Sequence, residues 1–231
     1  MLNCASMNIA ILVPVYNEQT HIQPLLARLD EIRRSEHIQQ IIIINDGSTD
    51  GTGAKLAEID NGSCIVLTHK KNQGKGATLK TGFEYARKHD FDAVICMDGD
   101  EQHDPSHIGE FIKDLKDNSI VFGYRTLGKD VPFYRRFGNA FARQIFQRIF
   151  GIYRKDLLCG YMGFRREIYR DLAWQSDDYG VEVELSTIIG KKRLPIKEIQ
   201  VATIYHDKFK GVSLSDALRI FLKIPWWYLK Y

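Results

Sequence analysis

The run QIIIINDG, residues 40–47, sets four consecutive isoleucines between a polar start and an Asn-Asp-Gly turn. A strand that is apolar at every position cannot face water on either side, so it belongs in a parallel sheet covered on both faces. Outward from it, similar runs recur at NIAILVPV (8–15), CIVLTH (64–69), AVICMD (93–98) and SIVFGYR (119–125). Helix-like stretches lie between them, from Thr20 to Arg34, Thr52 to Ile59 and Gly76 to Lys88, and at 106–117. Strand and helix alternating at this spacing predict an α/β fold, a doubly wound, mainly parallel sheet flanked by helices. Ligands of such sheets bind beyond the carboxyl ends of the strands. Asn17, Asp46, Asn72, Asp98 and Arg125 all follow strand ends and should line one rim.

At 231 residues the chain suits one large domain, or one domain with an appended piece. Hydrophobic residues at 44% and charged residues at 26% argue against wholesale disorder. A net charge of +3 is too small to suggest a nucleic-acid binder. That charge is unevenly spread: the segment from Arg125 to Arg170 carries +8 and the remainder −5. Such a segment suits an anionic partner, phosphate or lipid headgroups, or else a solvated helix face. Cys4, Cys64, Cys96 and Cys159 are widely spaced with no CxxC, as in a reducing, cytoplasmic protein. The apolar run near the N-terminus is short and ends in Pro14, so it reads as a first strand rather than a signal peptide. No window reaches the roughly 18 uninterrupted apolar residues of a membrane-spanning helix.

The rim carries an acid cluster in MDGDEQHDP (97–105), where Asp98, Asp100 and Asp104 accompany Gln102 and His103. A calcium EF-hand fails, because its required Gly and Glu fall on His103 and Gly109 when counted from Asp98. A Walker A loop fails at Gly74-Lys75-Gly76, and no G-x-G-x-x-G exists. Carboxylates at the end of a buried strand are held on a rigid element. Hard oxygen ligands there suit Mg²⁺ or Mn²⁺ bound jointly by protein and phosphates. Asp104-Pro105 reads as the start of the next helix.

VPVYNE (13–18), NDGSTDGT (45–52), NQGKGAT (72–78) and MDGDEQH (97–103) resemble, in order, the motifs of family 2 glycosyltransferases with the GT-A fold. The resemblance covers roughly residues 8 to 210 and is closest to the polyprenyl-phosphate (dolichol-phosphate) mannosyl- and glucosyltransferase branch. It implies an inverting enzyme that moves a hexose from a UDP- or GDP-sugar to undecaprenyl or dolichyl phosphate at the cytoplasmic membrane face. It further implies donor contacts from Pro14, Tyr16, Glu18, Asp46, Lys75 and Asp98, and a divalent cation held by Asp98, Asp100 and Gln102. Arg125, Arg135 and Arg136 would receive the acceptor phosphate, while Lys208 and Lys210 in ATIYHDKFKG (202–211) would meet the diphosphate. LCGYMGFRR (158–166), preceded by Asp156, resembles the strand that closes the acceptor side. Glu182, in YGVEVEL (179–185), takes the place of the family's acidic residue; with a hydroxyl acceptor it would be the general base. Asp100, Glu182 and Arg125 are thus the implied catalytic residues.

Two later stretches have an amphipathic look. FYRRFGNAFARQIFQRIF (133–150) puts Phe137, Phe141, Ile145 and Ile149 at helical spacing with arginines between them. It suits a core helix or a membrane interface equally. Near the end, Ser213 is placed to cap a helix that Pro225 should stop, followed by WWYLKY, an aromatic-lysine mix typical of headgroup level or of a hydrophobic anchor. The expected organisation is a GT-A domain over 1–211, with a donor half to about 125 and an acceptor half from about 126, then a helix and tail over 212–231. A peripheral membrane association, alone or through a membrane-protein partner, follows from that reading. The alternatives are a soluble transferase acting on a sugar or protein hydroxyl, and a non-catalytic nucleotide-sugar-binding subunit.

Overall fold

The computed structural model describes residues 7–59, 64–126, 143–144, 146–202 and 214–231. The first strand, β1 (Ile9–Val15), lies between β2 (Gln40–Asn45) and β4 (Ala93–Cys96), and β3 (Cys64–Thr68) flanks β2. Beyond β4 come β6 (Met162–Arg165), β5 (Ile120–Arg125) and the edge strand β7 (Lys197–Val201). All pairings are parallel except those of β6, which runs antiparallel between β4 and β5. Since β6 opposes both neighbours, β5 ends at the same edge as β1, β2 and β4, and β6 begins there. This brings residues just before Met162 to the rim that the first half of the chain lines.

The isoleucine run shows why the sheet needs two covers. Ile41 and Ile43 face a core with Leu25 and Leu29 of α1 (Ile22–Ser35) and Phe111 and Leu115 of α4 (Ile108–Leu115). Ile42 and Ile44 face the other core, with Leu79 and Phe83 of α3 (Lys75–Lys88) and Leu185 and Ile188 of α5 (Val181–Lys191). Each fully buried isoleucine contributes about 1.5–3 kcal/mol of apolar transfer, so strand register is specified from both sides. The short α2 (Thr52–Glu58) completes the first half. Asp104 caps the turn Pro105–His107 before α4, its side chain accepting from the Ser106 amide, as Asp104-Pro105 suggests.

Two features depart from the sequence reading, and a third is seen only in part. The strand β7 was not expected, because KEIQV alternates polar and apolar residues and buries only Ile199 and Val201. Pro225 does not stop the last helix: α6 runs Leu214–Lys230 with the proline inside it. A proline mid-helix costs about 3 kcal/mol through a lost hydrogen bond and a clash. Burial of Ile224 before it and Trp227 after it in the α3/α5 core offsets that cost. In the segment before β6, residues 146–150 are helical, but the buried positions are Phe146 and Phe150, while Ile149 is 44% exposed. The phenylalanines pack ring to ring at 4.9 Å, and Phe150 lies against Gly190 of α5 and Tyr228 of α6. Phe137, Phe141 and Ile145 of the expected stripe lie outside the described residues. Among the described residues no helix is long and apolar enough to cross a membrane.

Candidate active site

The loops after β1 and β2 are stitched together. The Asn17 amide donates to Ser48 Oγ at 3.0 Å, and Asn17 Oδ1 accepts from the Thr49 amide at 2.8 Å. Glu18 and Gln19 donate their amides to Thr52 Oγ1 and Asp50 Oδ2. Asn17 adopts φ 56°, a left-handed conformation that Asn tolerates better than most residues and that turns the chain back over β2. Tyr16 is exposed beside this seam, and Pro14 is half-buried in β1. The Glu18 carboxylate contacts His21 Nδ1 at 3.0 Å.

Asp46 is buried, and its carboxylate accepts from the amides of Gln73 (2.9 Å) and Gly74 (2.8 Å) and contacts His69 Nδ1 at 2.7 Å. The residue expected to read the donor's base or ribose therefore also pins the NQGKG loop. That loop is fixed on its other side by a strap, residues 174–178. The Asp177 carbonyl accepts from the amides of Gly76 (2.8 Å) and Ala77 (3.3 Å), and Trp174 Nε1 donates to the Gly76 carbonyl. A Cβ on Gly76 would stand 2.0 Å from the Ser176 carbonyl oxygen, so only glycine permits this approach.

Lys75, in the first turn of α3, is where the site converges. Its ammonium is 2.5 Å from Asp98 Oδ1 and 2.7 Å from Glu182 Oε1, with only 12% of the side chain exposed. Burial disfavours its charge, but the two carboxylates override burial and hold it protonated well above the ordinary lysine range. Glu182 reaches it from the first turn of α5, where the helix dipole favours an acid. Gly160, just before β6, closes the arrangement: a Cβ there would lie 2.6 Å from Lys75 Nζ and 2.8 Å from Asp98 Oδ2. Gly160 was not among the expected site residues; the antiparallel register of β6 on β4, with Met162 opposite Cys96, is what delivers it.

The acids themselves divide in character. Burial pushes the Asp98 carboxyl up, but Lys75 prevails and lowers it to about 2. Asp100 goes the other way, raised to about 6 by burial and then by the charges of Asp98 and Glu18. Its Oδ1 accepts from the Gln102 amide at 3.1 Å, in a turn made by Glu101 at φ 59°. His103 is buried against Tyr161 (ring centroids 5.0 Å apart), which stacks in turn on Phe111. His103 Nδ1 accepts from the Asp98 amide at 3.1 Å, so the neutral ring carries its proton on Nε2. Burial first, outweighing the pull of Asp98, lowers its pKa to about 4.

A hard divalent cation fits this donor set. Asp98 and Asp100 are hard oxygen donors, and the rise at Asp100 comes first from burial and then from the Asp98 charge, both of which a bound cation would offset. Among the described residues no three His, Cys, Asp or Glu side chains gather closely enough to hold a metal by themselves. The remaining ligands would come from Gln102, water or phosphate oxygens, the usual pattern for Mg²⁺.

At the end of β5, Arg125 grips buried Asp156 with two side-chain hydrogen bonds, Nε to Oδ2 at 2.7 Å and Nη2 to Oδ1 at 3.2 Å. Burial opposes the Asp156 charge, yet Arg125 and the Leu158 amide hold the carboxyl below the usual range. Arg154, fully buried, donates from Nη1 to Ser186 Oγ and lies 3.6 Å from the Phe122 ring. Arg135, Arg136, Lys208 and Lys210 lie outside the described residues.

The sequence model of the family Glycosyl transferase family 2 matches residues 10–173. The chain belongs to the family 2 glycosyltransferases. A UDP-N-acetylglucosamine–dolichyl-phosphate N-acetylglucosaminyltransferase of Methanococcus voltae is 26% identical to this transferase, covering 94% of each chain. An undecaprenyl-phosphate mannosyltransferase of Micrococcus luteus is 26% identical over 92% of the transferase and 91% of its own length. Among solved structures, glucosyl-3-phosphoglycerate synthase of Mycobacterium tuberculosis, crystallised with Mn²⁺, UDP and glucosyl-3-phosphoglycerate, superposes with a TM-score of 0.74. It shares 16% identity and covers 98% of the transferase and 80% of itself, a likeness in fold. The mostly parallel sheet of the transferase, seven-stranded among the described residues, is accordingly of the GT-A type.

Proposed function

We propose that this transferase moves a hexose, with inversion, from a UDP- or GDP-sugar to a polyprenyl phosphate at the cytoplasmic face of a membrane. The observation that carries the choice of acceptor is the state of Glu182. A hydroxyl acceptor needs a base to remove its proton, and Glu182 is buried and ion-paired to Lys75 at 2.7 Å rather than standing open to a substrate. A phosphate acceptor is already ionised near neutral pH and needs no base. Two relatives named for dolichyl- and undecaprenyl-phosphate transfer support the same choice.

In this reading Asp46 and the stitched β1–β2 seam position the nucleoside, and Lys75 presents a fixed ammonium to the donor diphosphate. Asp98, Asp100 and Gln102 would hold Mg²⁺ or Mn²⁺, which when bound supplies Lewis-acid stabilisation to the departing nucleoside diphosphate. Arg125, held by Asp156, would bind the acceptor phosphate by paired hydrogen bonds, with Arg135 and Arg136 as further candidates for the same anion. The acceptor oxygen then bonds to the anomeric carbon as the bond from that carbon to the diphosphate oxygen breaks. On α6 the exposed Leu222, Trp226 and Leu229 recur on one face, with Lys223 and Lys230 nearby, as a helix lying on a membrane surface would have them.

Detergent-dispersed undecaprenyl or dolichyl phosphate, incubated with radiolabelled UDP- and GDP-hexoses and Mn²⁺, tests the proposal. Label should pass into the organic phase with at least one donor. Label appearing only in a soluble sugar or protein product would overturn it.

A further inference from the structure

Glu184 is fully buried on α5, two residues after Glu182 and so on the opposite side of the helix, and the transfer reaction as proposed gives it no task. Its two oxygens are nonetheless committed. Oε1 accepts from the Gln175 amide at 3.0 Å and from the Tyr231 hydroxyl at 2.5 Å, and Oε2 accepts from the Ser176 amide at 2.7 Å. Gln175 and Ser176 belong to the strap whose next residue, Asp177, takes the first free amides of α3 at Gly76 and Ala77. Lys80, one turn along α3, returns to the same strap through the Gln175 carbonyl (3.0 Å) and Asp177 Oδ1 (2.7 Å). The last helix touches the strap again where Lys223 meets Asp178 Oδ2 at 2.8 Å, and Trp227 lies against Gly180 just beyond it.

These contacts form one chain of rigid connections. Lys223 on α6 and Tyr231 just past its end hold the strap and Glu184, the strap holds the start of α3, and the start of α3 carries Lys75. Lys75 has two carboxylate partners on different elements, so a small movement of its backbone changes both distances at once. A buried carboxylate that accepts two amides and a hydroxyl is a strong local clamp, and it loosens when a donor is removed. Because α6 also bears the exposed apolar row, whatever seats that helix bears on the same clamp.

We propose that Glu184 and Tyr231 are positioning residues: they latch the last helix to strap 174–178 and so set Lys75 for the donor diphosphate. The assignment rests on the donor-site reading given above.

Tyr231→Phe removes one hydroxyl without opening a core cavity, and it is compared with the wild-type chain in two ways. Calorimetry with UDP and GDP in the presence of Mn²⁺ should show about five-fold weaker binding in the variant. In a Lys75→Met background the same substitution should change nothing further, because the latch acts through Lys75. Equal affinity in the two otherwise native proteins, or equal weakening in the Lys75→Met pair, would overturn the latch. Amide hydrogen exchange at Gly76 and Ala77 supplies the second arm and needs no nucleotide: it should quicken in Tyr231→Phe, and unchanged protection there would also overturn it. Wild type that binds neither nucleotide refutes the donor-site reading instead, and the exchange arm then decides the latch alone. It decides likewise if Lys75→Met does not fold.

Discussion

The proposed donor and acceptor sides of the rim are held in place in different ways. On the proposed donor side the loops that follow β1, β2 and β3 are stitched to one another by amide-to-side-chain hydrogen bonds, as at Asn17–Ser48–Thr49 and Asp46–Gln73–Gly74. On the acceptor side the placement comes from ion pairs between residues distant in sequence, Arg125 with Asp156 and Glu182 with Lys75. The first arrangement is redundant, since several short-range bonds share each loop. The second concentrates position in single buried charges, where loss of one partner leaves the other uncompensated. The difference predicts how the two sides fail.

The largest effect should come from Lys75→Ala, which removes the group shared by both sides. Turnover should fall about 10³-fold, in the range for losing one preorganised electrostatic contact, with a drop in thermal stability from the unpaired Asp98 and Glu182. Turnover within a few-fold of wild type would mean that the two sides are independent.

Asp156→Asn tests the acceptor side alone. It should destabilise the fold by about 3 kcal/mol while leaving nucleotide affinity intact, read by denaturant melts beside calorimetry. The sign with pH follows from the depressed carboxyl. Its contribution is present above the unfolded-state value of about 4 and is lost as pH falls through the lower folded value, so the variant's deficit should shrink on acidification. A deficit that grows toward low pH would contradict the pairing.

Gly160→Ala should keep the fold and lose about 10²-fold in turnover, because the added methyl displaces Lys75 from Asp98. Asn17→Ala should do least, costing about 1 kcal/mol of stability with turnover little changed, since Ser48, Thr49, Asp50 and Thr52 share the seam. A large kinetic loss from Asn17→Ala would erase the contrast between the sides.

The same contrast governs what can be read from sequence. QIIIIN declares a strand buried on both faces because both covers act on it directly, and Asp98 is legible because it follows an apolar strand. Glycines flanking Lys75 signal a close backbone approach but not its partner, the 174–178 strap about 100 positions away. Gly160 and the Arg125–Asp156 pair are placed by the antiparallel insertion of β6, which no local periodicity encodes. β7 escapes because half of its residues face solvent. Pro225 misleads because the local rule that prolines end helices yields to the burial of Trp227 beyond it.

The central claim is that Asp98 and Asp100, beside Lys75, form a cation-dependent diphosphate site. Calorimetric titration of UDP and GDP into wild type and Asp100→Ala, each with and without Mn²⁺, addresses it directly. Nucleotide affinity should rise at least ten-fold with Mn²⁺ in wild type and be insensitive to Mn²⁺ in Asp100→Ala. The same Mn²⁺ enhancement in both proteins, or none in wild type, would contradict the claim.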